Sequence, residues 1–426
     1  MNSPKHIAIA DYDYPLPDER IAKFPLAQRD QSKLLVYRHG DISETIFHQI
    51  ADQLPPDTLL VFNETKVIHA RLFFRKPTGS MIEVFCLEPQ NMPVAQAFEQ
   101  REHCTWLCFI GNNKKWKEGP LTLTSSLSPL VVSQSESRAN KFALPSQRNV
   151  NEVTFHLTAS RREAVGNAWI VDFTWTGGLS FAEVIEVAGV IPLPPYLHRE
   201  AETSDNERYQ TVYAHQEGSV AAPTAGLHFT PELLNTLKTR GISTDFITLH
   251  VGAGTFKPVN TPTIGEHEMH VEPITLNRDN ILHILHHLPR PVIPVGTTTV
   301  RTLESLYWFG VKLSRQPDLE AMHILQWDPY ELESLHIDTA TAYRNVLQWM
   351  ERHDLQTLSG DTQLMIAPGY KYHVISGLIT NFHQPKSTLL LLVSALVGEA
   401  WHDCYRYALD HGFRFLSYGD SCLFLP

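Results

Sequence analysis

The sequence predicts a mixed α/β fold in which a small β-barrel domain is inserted into a large α/β domain. Helical and strand patterns alternate in the first 71 residues and again from residue 177 onwards. Between them lie short runs of alternating polar and apolar residues separated by polar turns, which is typical of a small barrel or sandwich. A chain of 426 residues can hold more than one folding unit. We therefore expect a discontinuous domain over residues 1–71 and 177–426 and an inserted β-barrel-like domain over residues 72–176.

The elements before residue 177 follow from hydrophobic spacing. In the first segment of the large domain we predict strands at residues 32–37, 58–62 and 67–74 and a helix at 46–54. In the inserted domain we predict strands at residues 82–87, 104–110, 121–124, 153–158 and 168–175. The polar residues 133–151, rich in Ser, Gln and Asn, are predicted to form a long flexible loop.

The second segment of the large domain is organised around residues 220–257. Thr230 is suited to cap a helix that Gly241 ends, and a buried strand follows at residues 242–251. Pro385 is predicted to start a helix so apolar on all sides that it must be buried. The other predictions are helices at residues 181–188, 205–214 and 339–352, a helix that follows Gly296, and strands at 292–295, 374–379 and 413–425, the last interrupted at residues 418–420.

Composition places the chain among ordinary globular proteins, with 43% hydrophobic and 19% charged residues. The longest apolar block, residues 389–397, is far too short to span a membrane, and no signal peptide is recognisable. The five cysteines form no CxxC pair, which favours reduced thiols. We therefore expect a cytoplasmic protein without a membrane partner.

The net charge of −11 argues against a generic nucleic-acid binder, because phosphate contacts need lysine and arginine. Three local basic groups keep that class open. They are Arg71 with Arg75 and Lys76, the lysines at 114, 115 and 117, and Arg161 with Arg162. Such groups are more often solvated faces, so both interpretations stand.

Two polar loops flank the helix and strand between residues 229 and 251. They comprise residues 222–228, which hold Thr224 and His228, and residues 250–256, which hold His250 and the turn Gly252, Ala253, Gly254 and Thr255. Because α/β sheets bind ligands at the carboxyl ends of strands, we interpret these loops as half of an active site. The alternative is a pair of tight turns without a ligand.

Two basic residues are placed unusually, near predicted helix starts. Arg301 follows Gly296 and a run of three threonines, and Lys386 follows Pro385. A cation there opposes the helix dipole, whereas a cation together with free backbone N–H groups binds an anion. We therefore interpret both as anion ligands. The alternative for Arg301 is an ion pair with Glu304, three residues further along the helix.

Among the histidines, His228, His250 and His383 lie on loops beside small and polar residues, where a proton-transfer group would be useful. His267 and His270 have the spacing of a metal pair, but no further ligand stands in a recognisable frame, so we predict no metal. A lone histidine is more often structural than catalytic.

Ten segments in order resemble one enzyme family across almost the whole chain. They include LLVFNETKVIHARLF, GSVAAPTAGLHFTPELL, LHVGAGTFKPV, VGTTTVRTLES and FRFLSYGDSCL. The family is the S-adenosylmethionine:tRNA ribosyltransferase-isomerases of queuosine biosynthesis. The chain departs from the usual NDTRVIPARL at Glu64, Lys66 and His69, and both residues 308–361 and the inserted domain are longer than usual.

The resemblance implies transfer and isomerisation of the ribosyl moiety of S-adenosylmethionine. The acceptor is 7-aminomethyl-7-deazaguanine at the wobble position of tRNA, and the products are epoxyqueuosine-tRNA, adenine and methionine. In this chemistry a base removes a proton from C5′, adenine leaves with help from an acid, and the amine attacks. S-adenosylmethionine is then a co-substrate, the partner is tRNA bearing the deazaguanine, and we expect a monomer.

Roles for individual residues are hypotheses that fit this chemistry. We expect His228 and His250 to form the acid–base pair, with His383 as a third candidate. The remaining site is assigned by role. The substrate-binding residues are Thr224, Gly252, Ala253, Gly254, Thr255, Thr297, Thr298, Arg301, Glu304, Asn381, Lys386 and Ser387, and the tRNA-binding residues are Asn63, Lys66 and Arg71.

Two other function classes remain open. One is an S-adenosylmethionine-dependent transferase acting on a different nucleoside, which would release adenine or methionine without tRNA. The other is a non-catalytic tRNA-binding paralogue, which would bind tRNA and turn over nothing.

Overall fold

The structure is a computed structural model that describes residues 4–127, 153–252 and 259–426. The chain forms two compact units, Met1–Lys66 with Leu193–Pro426, and Val67–Pro192. The fold is mixed α/β with several sheets, as the sequence predicted. The predicted loop at residues 133–151 lies outside the described residues.

The strands are short and most are buried on at least one face. In chain order they are β1 Lys33–Arg38, β2 Asp41–Ile46, β3 Leu59–Asn63, β4 Thr65–Val67, β5 Arg71–Arg75, β6 Met81–Pro89, β7 His103–Gly111, β8 Leu121–Leu127, β9 Val153–Val165, β10 Ala168–Trp175, β11 Gly189–Val190, β12 Gln216–Ser219, β13 Ser243–Leu249, β14 Glu272–Asn277, β15 Val292–Pro294, β16 Met322–Ile324, β17 Thr357–Thr362, β18 Leu378–Asn381 and β19 Ser421–Leu425.

The helices range from single turns to one long buried rod. They are α1 Ile50–Gln53, α2 Val94–Glu99, α3 Phe181–Ala188, α4 Asp205–Arg208, α5 Pro231–Thr239, α6 Arg278–His287, α7 Thr297–Arg315, α8 Asp328–Leu332, α9 Thr339–Arg352, α10 Thr388–Val397 and α11 Ala400–Asp410. None of those in the described ranges combines the length and apolar character that a membrane crossing requires.

Two sheets of the first unit meet edge to edge. One has the order β18-β19-β1-β2 and the other the order β15-β3-β13-β14-β17-β16. A parallel bridge between Val295 and Ile379 joins β15 to β18. Since β3 also pairs in parallel with β13 and β15, four neighbouring strands end at one edge of the joined sheet. This edge, which we call the carboxyl edge, positions the site described below.

Helix α7 is the centre of the first unit's core, and nearly all of its residues are buried. It packs against α9 so closely that a Cβ atom on Gly310 would lie 2.1 Å from the carbonyl oxygen of Ala342. Only glycine permits such an approach. Within residues 308–361, the two helices include residues 308–315 and 339–352, and of these the sequence had predicted the helix that became α9.

The second unit is a seven-stranded sheet with the order β11-β5-β6-β7-β10-β9-β8. It curls into a half-barrel, so that β5 approaches β8. Helix α3, which we had expected in the large domain, belongs to this unit. The reason is aromatic packing, because Phe181 at its start contacts Trp106, Phe173 and Trp175.

Several predicted boundaries were wrong. The helix expected at Pro385 begins at Thr388, after Ser387 caps it. The last strand begins at Ser421, because residues 413–420 form a turn around Asp420, whose carboxylate accepts hydrogen bonds from the backbone N–H groups of Lys33 and Arg414. The helix expected at residues 205–214 is the single turn α4.

Candidate active site

A cavity opens at the carboxyl edge of the first unit. Its walls come from the ends of β13, β15 and β18, the 3₁₀ turn Thr224–His228, the turn before α10 and the turn before β19. Among the predicted site residues it gathers Thr224, Thr297, Thr298, Asn381, His383 and Ser387. The lining residues include no Lys, Arg, Asp or Glu. The cavity therefore has a mixed polar and apolar lining without a charged side chain among the described residues, and its one electrostatic feature there is the helix start described next.

Helix α7 begins at the cavity without a side-chain cap. Gly296 precedes it with φ 92° and ψ 151°, a conformation that side chains other than glycine rarely adopt. Thr297 and Thr298 line the cavity, and the Thr299 hydroxyl bonds back to Val295 instead of capping. The first N–H groups of a 19-residue helix therefore lie at the cavity wall, an arrangement that favours an anion.

Arg301 is the fifth residue of α7 and is only 5% exposed. Its Nη1 lies 2.7 Å from Oε2 of Glu272 on β14, so the predicted alternative partner Glu304 was wrong. Its Nε and Nη2 are buried without a hydrogen-bond partner among the described residues. Arg301 does not line the cavity. The ion pair of Arg301 and Glu272 is therefore buried behind the part of the wall that α7 forms, and two guanidinium nitrogens of Arg301 lack a partner among the described residues.

The start of α10 is different, because a side-chain cap accepts a hydrogen bond from a backbone N–H group of its first turn. The Ser387 hydroxyl accepts a hydrogen bond from the backbone N–H of Leu390 and donates one to the Gln384 carbonyl. Lys386 has φ 55°, and its side chain, 44% exposed, places Nζ 2.7 Å from Asp13. Lys386 is absent from the cavity lining. Its charge is matched by a carboxylate within the protein.

Both ring nitrogens of His228 are hydrogen-bonded inside the protein. Asn381 donates through Nδ2 to the carbonyls of Leu416 and Ser417, so its Oδ1 faces His228 Nε2 at 3.2 Å. His228 Nε2 must therefore carry the proton, and Nδ1 accepts from the Ser32 hydroxyl at 2.7 Å. Burial lowers the pKa of His228 to about 4. With both ring nitrogens engaged, His228 orients Asn381 and has no free position for proton transfer.

His383 faces the cavity directly. Its Nε2 bonds the Thr380 hydroxyl at 3.0 Å, and Nδ1 has no hydrogen bond to any described residue. The main chain is held on both sides, because its N–H donates to the Tyr405 hydroxyl and its carbonyl accepts from the Tyr14 hydroxyl. Burial lowers the pKa of His383 to about 3, so the ring is neutral near pH 7. Of the three predicted histidines, it is the one that the structure brings to the cavity wall.

His250 follows β13 but is absent from the cavity lining. Its Nδ1 lies 3.2 Å from the Thr65 hydroxyl, and its N–H donates to the Pro273 carbonyl. Burial lowers its pKa to about 4. The structure therefore does not bring His228 and His250 together as the expected pair. Gly252 lies just beyond, and the predicted residues Ala253, Gly254 and Thr255 are outside the described residues.

Two predicted ligand-binding residues are structural. Asn63 is 0% exposed, and its amide bonds the backbone of Leu249 and Thr65, with Thr298 at 3.4 Å. Glu304 is also 0% exposed and accepts from the Tyr370 hydroxyl and from backbone N–H groups after it. Each side chain therefore uses its hydrogen-bonding capacity inside the protein, and its ligand-binding role stays a prediction.

The other two predicted tRNA contacts lie on different units. Lys66 of the first unit places Nζ 2.7 Å from Glu217. Arg71 of the second unit approaches Glu83 and the Phe85 ring. Both side chains retain partial exposure.

Sequence reasoning missed part of the cavity wall. The Tyr196 hydroxyl lies 2.5 Å from Ser417 Oγ, and both residues line the cavity. Leu416 beside them has φ 68°, an uncommon conformation for a branched residue. The Pro-rich segment before Tyr196 was a usable signal, since it forces an extended chain. The contact with Ser417, 221 positions away, left no trace in local spacing.

Where the chain is described, no three His, Cys, Asp or Glu side chains are grouped closely enough to hold a metal ion. His267 and His270 belong to no such group. The arrangement offers neutral polar groups, one uncapped helix start and one imidazole, which suits a substrate that brings its own charges.

Comparison with known proteins gives a consistent result. The family model described as "Queuosine biosynthesis protein" matches residues 9–424. An S-adenosylmethionine:tRNA ribosyltransferase-isomerase from Pelobacter propionicus is 35% identical over 419 residues, which are 97% of this chain and 98% of that relative. The relative of the same name from Trichormus variabilis is 36% identical over 431 residues, with 98% and 92% covered. Among solved structures, the S-adenosylmethionine tRNA ribosyltransferase of Thermotoga maritima is 25% identical, with 97% of this chain and 99% of that chain covered and a TM-score of 0.43.

Proposed function

The chain belongs to the queuosine biosynthesis protein family, and on that premise we propose that it transfers the ribosyl moiety of S-adenosylmethionine to tRNA and isomerises it. The acceptor is the aminomethyl group of 7-aminomethyl-7-deazaguanine at the wobble position. The products are epoxyqueuosine-tRNA, adenine and methionine. The observation that carries this proposal is a cavity without charged lining residues at the carboxyl edge of a chain that matches the family over residues 9–424.

The charge distribution supports S-adenosylmethionine as the occupant. Its sulfonium is a cation, and a protonated imidazole or a lysine at the wall would repel it. His383 is neutral near pH 7, and Lys386 is paired with Asp13 outside the cavity lining. The methionine carboxylate of S-adenosylmethionine is an anion. The N–H groups in the uncapped first turn of α7 would stabilise it. One end of the cavity thus suits the carboxylate, and the remainder suits the sulfonium and ribose.

His383 is our candidate for proton transfer. Neutral imidazole accepts the proton from C5′, which the adjacent sulfonium acidifies. Because burial keeps the pKa of His383 low, the resulting imidazolium is a strong acid and gives that proton to the departing adenine. The C5′ electron pair forms a C4′=C5′ double bond as the C4′–O4′ bond breaks, the released oxygen pair forms the C1′ carbonyl, and the C1′–nitrogen pair leaves with adenine. The amine then adds at C4′ and loses its own proton, and C5′ bonds to C1′ to close the five-carbon ring. The resulting C1′ oxygen attacks C5′ to form the epoxide, and methionine leaves with the electron pair of the sulfur–carbon bond.

The other polar side chains position the substrate. Asn381, held by His228 and the Leu416 carbonyl, presents a fixed amide at the wall. Thr224, Thr297 and Ser387 supply hydroxyl groups on other sides. His250 is the second candidate for proton transfer, since its Nε2 has no hydrogen bond to any described residue.

Release of free adenine tests the proposal. The protein is incubated with S-adenosylmethionine and tRNA that carries the deazaguanine, and adenine is quantified in a single turnover. We expect adenine and epoxyqueuosine-tRNA in equal amounts, and a rate at least about a hundredfold lower for His383→Gln. Adenine release without tRNA would indicate a transferase for another nucleoside. Tight tRNA binding with no adenine would indicate a non-catalytic paralogue.

A further inference from the structure

A second cavity lies beside the first and is lined by three arginines. Arg29 follows the amino-terminal loop, Arg208 ends α4, and Arg414 precedes β19. The rest of the lining is Pro25, Leu26, Ser32, Leu227, His228, Ser417, Tyr418 and Gly419, without a single Asp or Glu. In a chain of net charge −11, this concentration of positive charge at one cavity needs an explanation.

The nearest carboxylates are already used. Asp205 accepts two hydrogen bonds of 2.7 Å from Arg199 and a third from the Tyr418 hydroxyl. Asp420 pairs with Arg414 at 3.2 Å and caps two backbone N–H groups. Two of the three cavity arginines, Arg29 and Arg208, form no ion pair with any described residue.

Among the residues that the structure describes, Arg29 and Arg208 donate hydrogen bonds to backbone carbonyls only. Arg29 donates to Gln210 and Glu207, while Arg208 donates to Ala27 and Leu26. These bonds use about two of the five N–H donors of each guanidinium. Arg208 Nε is buried with no partner among the described residues. Burial lowers the pKa of Arg29, and the neighbouring Arg208 charge lowers it further, as two like charges lining one cavity should.

The two cavities are separated by one layer of side chains. Ser417 lines both of them, and the His228–Asn381 hydrogen bond of 3.2 Å spans the wall between them. A ligand group in the second cavity therefore lies next to whatever occupies the first. The arginines therefore lie next to the proposed reaction site but do not line it.

We propose that Arg29, Arg208 and Arg414 bind a phosphodiester of the RNA substrate, next to the nucleotide whose base enters the first cavity. This inference rests on the proposed function, which makes RNA a substrate. Guanidinium groups match the geometry of phosphate oxygens. The methionine end of S-adenosylmethionine fits less well, because its ammonium would lie among arginines with no acidic side chain in the lining to balance it. A phosphodiester brings only negative charge.

Binding of tRNA as a function of salt tests the site. The probe is a tRNA transcript with unmodified guanosine at the wobble position, and the variants are Arg29→Gln, Arg208→Gln and the charge-retaining Arg29→Lys. The matched control is Arg352→Gln, an arginine half exposed on α9 whose nearest carboxylate is 3.9 Å away. Thermal unfolding checks that each variant folds, since Arg208 also braces the backbone near Leu26.

We expect each Gln variant to weaken tRNA binding about tenfold at low salt and to flatten the slope of log K against log salt by about 0.7 to 0.9 per charge removed. Arg29→Lys and Arg352→Gln should keep the slope of the parent. Affinity for S-adenosylmethionine, measured by calorimetry without RNA, should stay within about twofold for all variants.

An unchanged slope in folded Arg29→Gln, or a loss of S-adenosylmethionine affinity with tRNA affinity intact, would overturn the phosphate site. A failure of the proposed function can be distinguished from a failure of the phosphate site. If the parent shows the salt slope and the variants flatten it, yet no adenine is released from the donor, the phosphate site stands and the reaction does not. If adenine is released and the slope is insensitive to Arg29 and Arg208, the reaction stands and the site does not.

Discussion

The helices α7 and α10 begin at the same cavity, each after a strand of the carboxyl edge, and they differ in what satisfies their first turns. Helix α7 follows Gly296 and has no side-chain cap. Helix α10 follows Ser387, whose hydroxyl bonds the Leu390 N–H. The sequence placed a basic residue near each start and predicted an anion site at both. In the structure, only α7 begins at the cavity without a side-chain cap.

The difference lies in where each positive charge is neutralised. Lys386 reaches Asp13 on a side where both side chains are nearly half exposed, so the pair resembles an ordinary surface ion pair. Arg301 is buried against Glu272, and two of its guanidinium nitrogens have no hydrogen-bond partner among the described residues. A cation near a helix start therefore does not identify a ligand site by itself. Unsatisfied N–H groups that face a cavity are the better criterion.

The largest effect should come from Arg301. Replacing Arg301 with Gln removes the buried guanidinium that lies 2.7 Å from Glu272, so we expect the free energy of unfolding to fall by about 3–5 kcal/mol. Urea denaturation measures it. The control is Lys312→Gln on the same helix, whose pair with Asp328 is more exposed and should cost about 1 kcal/mol or less. Equal losses for both variants would contradict a larger contribution from the buried pair of Arg301 and Glu272.

Next in size is the effect of a side chain at the start of α7. Because Gly296 has φ 92° and ψ 151°, Gly296→Ala should cost about 1–3 kcal/mol in strain and misplace the Thr297 and Thr298 N–H groups. We expect the KM for S-adenosylmethionine to rise at least about tenfold. Gly398, which ends α10 with φ 61° and ψ −147°, provides the matched control. Gly398→Ala should lose similar stability and leave this KM unchanged, and a parallel rise in both variants would remove the special role of α7.

The turn before α10 should give a pH-dependent effect of about 2 kcal/mol. His383 titrates near its ordinary pKa of 6.5 in the unfolded chain and at about 3 in the folded protein. Between these values the unfolded state binds a proton that the folded state does not, so stability falls as pH falls below 6.5. From pH 7 to pH 5 the parent should lose about 2 kcal/mol more than His383→Gln. Identical pH profiles in denaturant titrations would mean that His383 is not buried as described.

The smallest effect is expected at Lys386. Since Asp13 already neutralises it at an exposed position, Lys386→Gln should change the KM for S-adenosylmethionine less than about twofold and stability by less than about 1 kcal/mol. Steady-state kinetics with saturating tRNA measures the first quantity. A tenfold rise in KM would restore Lys386 as an anion ligand and reverse the comparison between the two helices.

Local patterns in the sequence predicted the fold well where one residue controls a short stretch. Thr230 caps α5 through the Leu233 N–H, as predicted, and the helix buries Leu233 and Leu237. The strand that follows delivers His250 to the carboxyl edge. Because strand ends and loops can be read from spacing, six of the predicted ligand-binding or catalytic residues do line one cavity.

What the sequence could not supply was the partner of each side chain across the fold. Glu304 was expected to face Arg301 one turn away, but its partner Tyr370 lies 66 positions further along the chain. Asn63 was expected to contact RNA, but it joins β3 to the backbone of Leu249. Local spacing predicts contacts within a helix turn or along a strand. Long-range hydrogen bonds decide whether a polar residue is structural or free to bind a ligand.

The most direct test compares S-adenosylmethionine with its decarboxylated analogue, which lacks the methionine carboxylate. Affinities for both donors are measured by calorimetry on the parent, Gly296→Ala and Lys386→Gln, and the coupling between carboxylate and variant is calculated as a double-mutant cycle. If the carboxylate binds at the start of α7, the parent and Lys386→Gln will both prefer the carboxylated donor by about tenfold or more, and Gly296→Ala will lose that preference. A preference that survives in Gly296→Ala and disappears in Lys386→Gln would contradict the assignment of the anion site to α7.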